Sequence, residues 1–365
     1  MGISGTLWRW FAFYLSNRRQ CVSVNNSLSR QLPVISGVPQ GSILGPLLFL
    51  VFINDLPSVI TSQSLIFADD TKCFRQISTI SDIDQLQCDL DSLLDWSLIN
   101  HLAFNVSKFV FMTFHQKFNS ELRINGNLLP HSISCKDLGV IFTNTLSWRQ
   151  HYDTITSKAY KSLGLLRRVF IDSHCVHTRK CLYLSLVRAK LLYCSPLWRP
   201  YLLKDIDSLE RVQRRATKFI LSDYTSNYKT RLMQLGMLPL MQIYEIADIM
   251  FFINSINNIT LRFNILNYVD FSTGTTRSAG CKLYHKTAST NSVMNSYFYR
   301  LPKLWNCLPI IDLSQPPHII KSKLKRYFWN HFLNNFDNDI LCTFHYLCPC
   351  TRCTKSPAPC NYNYL

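Results

Sequence analysis

Apolar and polar positions follow two regimes along this chain. Before about residue 150, short period-2 runs bounded by Asn, Gly and Ser alternate with helical stretches; after it the period is helical almost throughout. Residues 7–20, LWRWFAFYLSNRRQ, predict an amphipathic helix closing in a basic turn. CVSVNNSLSRQLPVI (21–35) predicts a hairpin turning at Asn25-Asn26. Residues 43–53 predict an apolar helix entered through a Gly/Pro loop and closed at Asn54-Asp55, ahead of Pro57. Across 82–101, Ile83, Leu86, Leu90, Leu93, Leu94 and Ser97 share one helical face, with the acids on the other. Residues 109–115, FVFMTFH, read as a strand, and 121–143 as a further hairpin.

Three helix candidates follow: KAYKSLGLLRRVF, CLYLSLVRAKLLYCS and DIDSLERVQRRATKFIL. In the last, Ile206, Leu209, Val212, Ala216 and Phe219 form the stripe expected to be buried. Arg211, Arg214, Arg215 and Lys218 recur at i, i+3, i+4 and i+7, so they are expected to line one exposed face, with Glu210 the single acid among them. Four cations in that spacing suit contact with a phosphate backbone, although such a stripe is commonly just a solvated helix face. Residues 231–335 read as mainly helical, with a Ser/Thr/Gly/Asn-rich loop at 270–295. The expected class is α+β.

Charge sharpens this division. The formal net charge is +17. Residues 1–150 carry 11 basic against 10 acidic side chains, 151–230 carry 15 against 6, and 231–365 carry 13 against 6. A near-neutral front and a basic back imply a core module followed by one that grips a polyanion, either nucleic acid or an anionic surface. The longest uncharged apolar run, ILGPLLFLVFI at 43–53, is too short to span a bilayer and contains Gly45 and Pro46. No membrane partner is therefore expected. Nine of the 14 cysteines are scattered singly, and no secretory signal pattern opens the chain. That predicts a reducing, intracellular setting, nucleus or cytoplasm, rather than secretion.

One stretch carries candidate chemistry. In SLIFADDTKC (64–73) an apolar strand runs straight into Asp69 and Asp70 and returns through a second strand. Adjacent carboxylates repel, so the pair is either a solvated turn or the oxygen ligands of a hard divalent cation such as Mg²⁺. Upstream, Gly37-Val38-Pro39-Gln40-Gly41-Ser42 forms a glycine-lined loop opening a helix, which allows close approach of a flat, charged ligand. Each feature alone is common.

In order, however, GVPQGSILGPLLFLVFINDLP and FADDTK strongly resemble the reverse transcriptases of non-LTR (LINE-type) retrotransposons. LLDWSLINHLAFNVSKFVFMTF resembles the family's next motif, and DLGVIFTNTLSWRQHYDTITSKAYKSLGLLRR its primer-gripping hairpin running into the thumb. YFYRLPKLWNCLP (297–309) resembles a segment these elements carry beyond the thumb. The resemblance implies a partial polymerase palm, an antiparallel sheet with helices on one face, within 1–150. A helical thumb at 151–230, a helical region at 231–340 and a Cys-rich tail at 341–365 would follow. It further implies RNA-directed DNA synthesis by two-metal nucleotidyl transfer, with RNA template, DNA primer and dNTPs as partners and two Mg²⁺ ions as cofactors. Asp69 and Asp70 match the metal-binding carboxylates, and Phe67 the aromatic position beside the primer end. Gln40 and Gly41 match the loop against nucleotide and template, and Lys108 the lysine that protonates pyrophosphate.

The chain departs from the family at one position. The family's third metal-binding aspartate lies on a strand upstream of the helix that here begins near Leu7, and no Asp or Glu occurs before Asp55. The expectation is an N-terminally truncated fragment with an incomplete site, either inactive as a polymerase or a non-catalytic nucleic-acid binder. In the tail, Cys342, Cys348, Cys350 and Cys353 could form a tetrahedral Zn²⁺ site around the Cys350-Thr351-Arg352-Cys353 knuckle, although its spacing matches no standard knuckle.

Overall fold

The computed structural model describes residues 3–115, 121–171, 175–257, 264–272, 282–288 and 290–335. The chain divides into two compact units, Met1–Ile133 and Ser134–Leu365.

The first unit opens with α1 (Gly5–Leu15) and two short ribbons, β1 (Arg19–Gln20) with β4 (Leu32–Pro33) and, nested inside, β2 (Ser23–Val24) with β3 (Ser27–Leu28). Asn25 and Asn26 supply the two positive φ angles, 48° and 64°, that the inner turn needs. Helix α2 (Leu44–Phe52) leads to the main hairpin, β5 (Gln63–Phe67) and β6 (Asp70–Phe74), paired from Gln63–Phe74 to Phe67–Asp70. Helix α3 (Ile80–Ile99) starts at a capping box, in which Asp82 accepts the Thr79 N–H at 2.9 Å. Its Leu90, Leu93 and Trp96 build the unit's core with Ile53, Leu56 and Ile124. β7 (Arg123–Ile124) and β8 (Asn127–Leu128) close the unit around an Asn125-Gly126 turn.

Helices and antiparallel strands are mixed, as the α+β class expects, but the described residues hold five separate two-stranded ribbons in place of one sheet. Residues 109–115 form no regular strand, because among the described residues no neighbouring strand offers them a ladder. Phe111 makes an isolated bridge to His131, while Phe109 and Phe111 pack against the α3 core.

The second unit begins with β9 (Ser134–Asp137) and β10 (Val140–Thr143) and continues as helices. These are α4 (Arg149–Val169), α5 (Val176–Leu182) running through a π turn into α6 (Ala189–Leu192), α7 (Ser195–Trp198), α8 (Leu203–Leu221), α9 (Tyr228–Leu235) and α10 (Leu240–Asn257). After the loop come α11 (Asn291–Met294), α12 (Tyr297–Asn306) and α13 (Pro317–Asn335). Asn227 caps α9 by accepting the Thr230 N–H, and Gly236 ends it at φ 58°. Helix α10 is apolar nearly all round and serves two cores: Leu240, Met241 and Tyr244 face one, Ile249, Phe252 and Ile253 the other. Among the described residues no single helix is long and apolar enough to cross a membrane.

Two carboxylates interrupt α10, and both are buried. Asp248 accepts Arg199 at 2.7 Å and Arg300 at 2.9 and 3.0 Å, while Glu245 accepts Arg199 at 3.2 Å. Removing one member of such a group strands the other charges without solvent. Asp248→Ala is therefore expected to cost about 3–5 kcal/mol in urea unfolding.

Glu210 on α8 is also buried, accepting the Tyr228 hydroxyl and the Leu240 N–H at 3.0 Å. Burial raises its carboxyl to about 7, and these bonds offset that rise in part. The folded chain thus keeps a proton that the unfolded chain releases at ordinary glutamate values, so this group costs stability as pH climbs toward 7. Glu210→Gln is expected to flatten the fall in Tm between pH 5 and pH 8 by on the order of a few degrees. Parallel Tm profiles for the two proteins would refute the assignment.

Candidate active site on the β5–β6 hairpin

The hairpin places the two acids by register. Phe67 pairs with Asp70, leaving Ala68 and Asp69 as a two-residue turn, with Asp69 at the tip and Asp70 opening the return strand. Ala68 sits at φ 52°, a left-handed conformation that costs a side-chain-bearing residue about 1 kcal/mol. Both carboxylates are exposed, and Phe67 beside them is 65% exposed. Among the described residues no group of three or more His, Cys, Asp or Glu is placed to hold a metal ion. Two solvated carboxylates with no nitrogen or sulfur donor suit Mg²⁺, which keeps several waters and commonly binds through one or two acids plus substrate phosphate.

The Gly/Pro loop is built onto the start of α2. Ser42 donates its hydroxyl to the Pro39 carbonyl at 2.8 Å and accepts the Gly45 N–H at 2.9 Å. Gly41 takes φ 76° and Gly37 φ 74°, and Gln40 and Gly41 are exposed between them. A Cβ on Gly45 would lie 2.6 Å from the Pro39 oxygen, so a glycine is required where the loop folds back on the helix. Lys108 is exposed at the end of a 3₁₀ turn, Val106–Lys108, rather than on a strand.

The cationic stripe of α8 is not one face. Arg211 and Arg215 are exposed, Arg211 in an ion pair with Asp207 four residues back and Arg215 5.1 Å above the Tyr160 ring. Arg214 is half-buried over Tyr228 at 5.2 Å, and Lys218 is half-buried. Arg214 turns inward because Glu210 and Tyr228 form a buried polar centre beneath it. The 3.6-residue period misses this, since the arginine's stem covers apolar surface.

A different cationic feature was not foreseen. Between β10 and α4 lies a cleft of about 750 Å³, lined by Thr143, Thr145 and Ser147 and, from α4, by Asp153, Thr154, Ser157, Lys158 and Lys161. Arg149 at its edge is committed to Asp153 and Asp205 at 3.2 and 3.1 Å, whereas both lysines are exposed. Their i, i+3 spacing on α4, following a Thr-rich turn, was the available signal. Cys342, Cys348, Cys350 and Cys353 lie outside the described residues.

Residues 3–165 match the family described as reverse transcriptase (RNA-dependent DNA polymerase). The RNA-directed DNA polymerase from mobile element jockey of Drosophila funebris is 29% identical over 164 residues, which cover 42% of this chain and 18% of that protein. Its counterpart in Drosophila melanogaster is 32% identical over 153 residues, 39% of this chain and 17% of that protein. The probable RNA-directed DNA polymerase from transposon BS of Drosophila melanogaster is 27% identical over 222 residues, 57% of this chain and 24% of that protein. The chain thus spans about a fifth of the length of the curated relatives it matches. No solved structure matches it.

Gly45→Ala is expected to displace the 37–42 loop and cost about 1–3 kcal/mol, as overpacking against backbone does. Faster hydrogen exchange at residues 37–45, with exchange in α3 unchanged, is the measurement that checks it.

Proposed function

We propose that this chain derives from the RNA-directed DNA polymerase of a non-LTR retrotransposon. Residues 1–150 are read as part of the palm with its primer-gripping hairpin, 151–230 as the helical thumb, 231–340 as a helical C-terminal region and 341–365 as a Cys-rich tail. The observation that carries this reading is the pair Asp69 and Asp70, both exposed at the end of one hairpin, Asp69 in its turn and Asp70 opening the return strand, after the GVPQGS loop and its helix. Asp69 and Asp70 would hold Mg²⁺, which in two-metal transfer activates the attacking hydroxyl and stabilises the leaving phosphate. Phe67 would sit beside the primer end, and Gln40 and Gly41 would receive the incoming dNTP and the RNA template. Lys108 would deliver a proton to the departing pyrophosphate.

Residues 1–54 contain no Asp or Glu, so they supply no third carboxylate to this pair. On this reading the 365-residue polypeptide holds its ions poorly and incorporates dNTPs at a rate reduced by orders of magnitude. Primer extension on an RNA template with Mg²⁺ tests this. Weak incorporation abolished by Asp69→Asn is expected; robust incorporation would overturn the incomplete site.

The alternative, a non-catalytic binder of nucleic acid, is favoured by the cleft on α4. Lys158 and Lys161 are exposed cations beside five hydroxyl-bearing side chains and one acid, Asp153, a combination suited to a phosphate backbone. Arg211 and Arg215 would extend that surface, with Arg214 and Lys218 contributing less because they are half-buried. Lys158→Ala with Lys161→Ala is expected to lower the slope of log affinity against log salt by about 1–2, and Arg211→Ala with Arg215→Ala by less. An unchanged slope for the lysine pair would remove α4 from the binding face.

A further inference from the structure

The tip of the β5–β6 ribbon is held through its base, where one side chain gathers most of the bonds. Asp89 lies on α3 between Leu86 and Leu93 and is 2% exposed. One carboxylate oxygen accepts the Thr61 N–H at 2.8 Å and the Thr61 hydroxyl at 3.1 Å; the other accepts the Ser62 N–H at 2.9 Å. The Ser62 hydroxyl adds a further bond. Burial pushes the Asp89 carboxyl up, yet the bonds from Ser62 and Thr61 outweigh it and hold the group below its usual range. Just past β6, Arg75 donates to the Thr61 and Ser62 hydroxyls at 3.3 Å each and pairs with Asp82 of α3 at 3.6 Å.

We propose that Asp89 is a positioning residue for the Asp69–Asp70 tip, fixing through the Thr61 and Ser62 amides the direction in which the ribbon projects from α3. This rests on the reading of Asp69 and Asp70 as metal-binding acids. The ribbon has two strands, and the outward side chains of β5, Gln63, Leu65 and Phe67, are exposed, so among the described residues no packing restrains it from that side. Half-buried Ile66 meets the α3 core on the other side. From Ser62 to Phe67 the strand runs about 16 Å. A tilt of about 10° at the base therefore moves the tip by about 3 Å, against a tolerance of about 0.5 Å for a preorganised site. An ionised carboxylate is needed because four donors converge on it from both sides. An amide at the same place would turn an NH₂ toward one of the backbone N–H groups.

The test uses the full 365-residue chain and Mn²⁺ as a paramagnetic probe in place of Mg²⁺, with free Mn²⁺ followed by electron paramagnetic resonance. Asp69→Asn with Asp70→Asn locates the binding, and Leu90→Val serves as a core variant that loosens α3 without touching the anchor. Asp89→Asn is expected to weaken Mn²⁺ about tenfold at a temperature where it is folded. Leu90→Val should leave the affinity unchanged, a separation that a merely stabilising role for Asp89 would not produce. If Asp89→Asn does not fold, Thr61→Val carries the test. It strips one hydroxyl donor, keeps both amide bonds, and is expected to weaken Mn²⁺ about threefold. Affinity within about twofold of wild type in the folded Asp89→Asn, or unchanged in Thr61→Val where that variant carries the test, overturns the positioning role and leaves the metal reading standing. Mn²⁺ binding indifferent to the Asp69/Asp70 double variant overturns both.

Discussion

Asp248 and Glu245 place two carboxylates inside an otherwise apolar helix, and α10 stays at the centre of its unit because Arg199 and Arg300 meet them there. The arginines come from 49 and 52 residues away along the chain, one just after α7 and the other on α12. Without them, ionised acids in a water-free core would cost several kcal/mol each. With them, the same helix can present apolar side chains to two hydrophobic clusters at once. The charges also tie α12 to α10, because in this setting the Arg300 guanidinium reaches Asp248. The Arg300 guanidinium also donates to the Asn295 and Pro196 carbonyls, so the segment leading into α12 and the start of α7 share that setting.

The first unit handles its acids differently. Asp89 is buried and satisfied by neutral donors, whereas Asp69 and Asp70 stay in solvent, where their repulsion is screened. That contrast separates structure from chemistry. A carboxylate saturated with hydrogen bonds has no free lone pairs for a ligand, while two solvated ones on a strained turn keep theirs. The Ala68 turn holds a side-chain-bearing residue in a left-handed conformation without adding core, and the Pro39 carbonyl leaves no room for a side chain at Gly45.

Much of this was readable beforehand. Helices α3, α4 and α8 follow apolar stripes, and the Asn25-Asn26 turn follows from residues that tolerate positive φ. The Asp69–Asp70 hairpin is announced by two like charges set between β-rich runs, a common local arrangement that gains meaning only with the Gly/Pro loop and apolar helix ahead of it. What could not be read concerns polar residues whose partners are remote. The helical period sets the acids of 82–101 on the face away from the core, yet Asp89 is buried beside the apolar side chains, because its donors 27 and 28 residues earlier meet it there. Glu210 looks like one acid in a cationic stripe until Leu240, 30 residues on, brings it an N–H. The strand expected at 109–115 failed for a related reason: a period-2 run states a preference, and a ladder needs a neighbour.

By itself the sequence determined which segments are helical, where the chain turns and which two acids share a hairpin tip, because these depend on side-chain period and backbone sterics within a few residues. It also carried the family resemblance, since the loop, helix and hairpin motifs are contiguous. The tertiary structure alone decided which charges are buried, that Arg214 leaves the cationic face, that Lys158 and Lys161 border a cleft, and that α3 holds the base of the acid-bearing ribbon. The physical reason is that the free energy of a charge is set by its surroundings. Those surroundings are assembled from residues tens of positions apart.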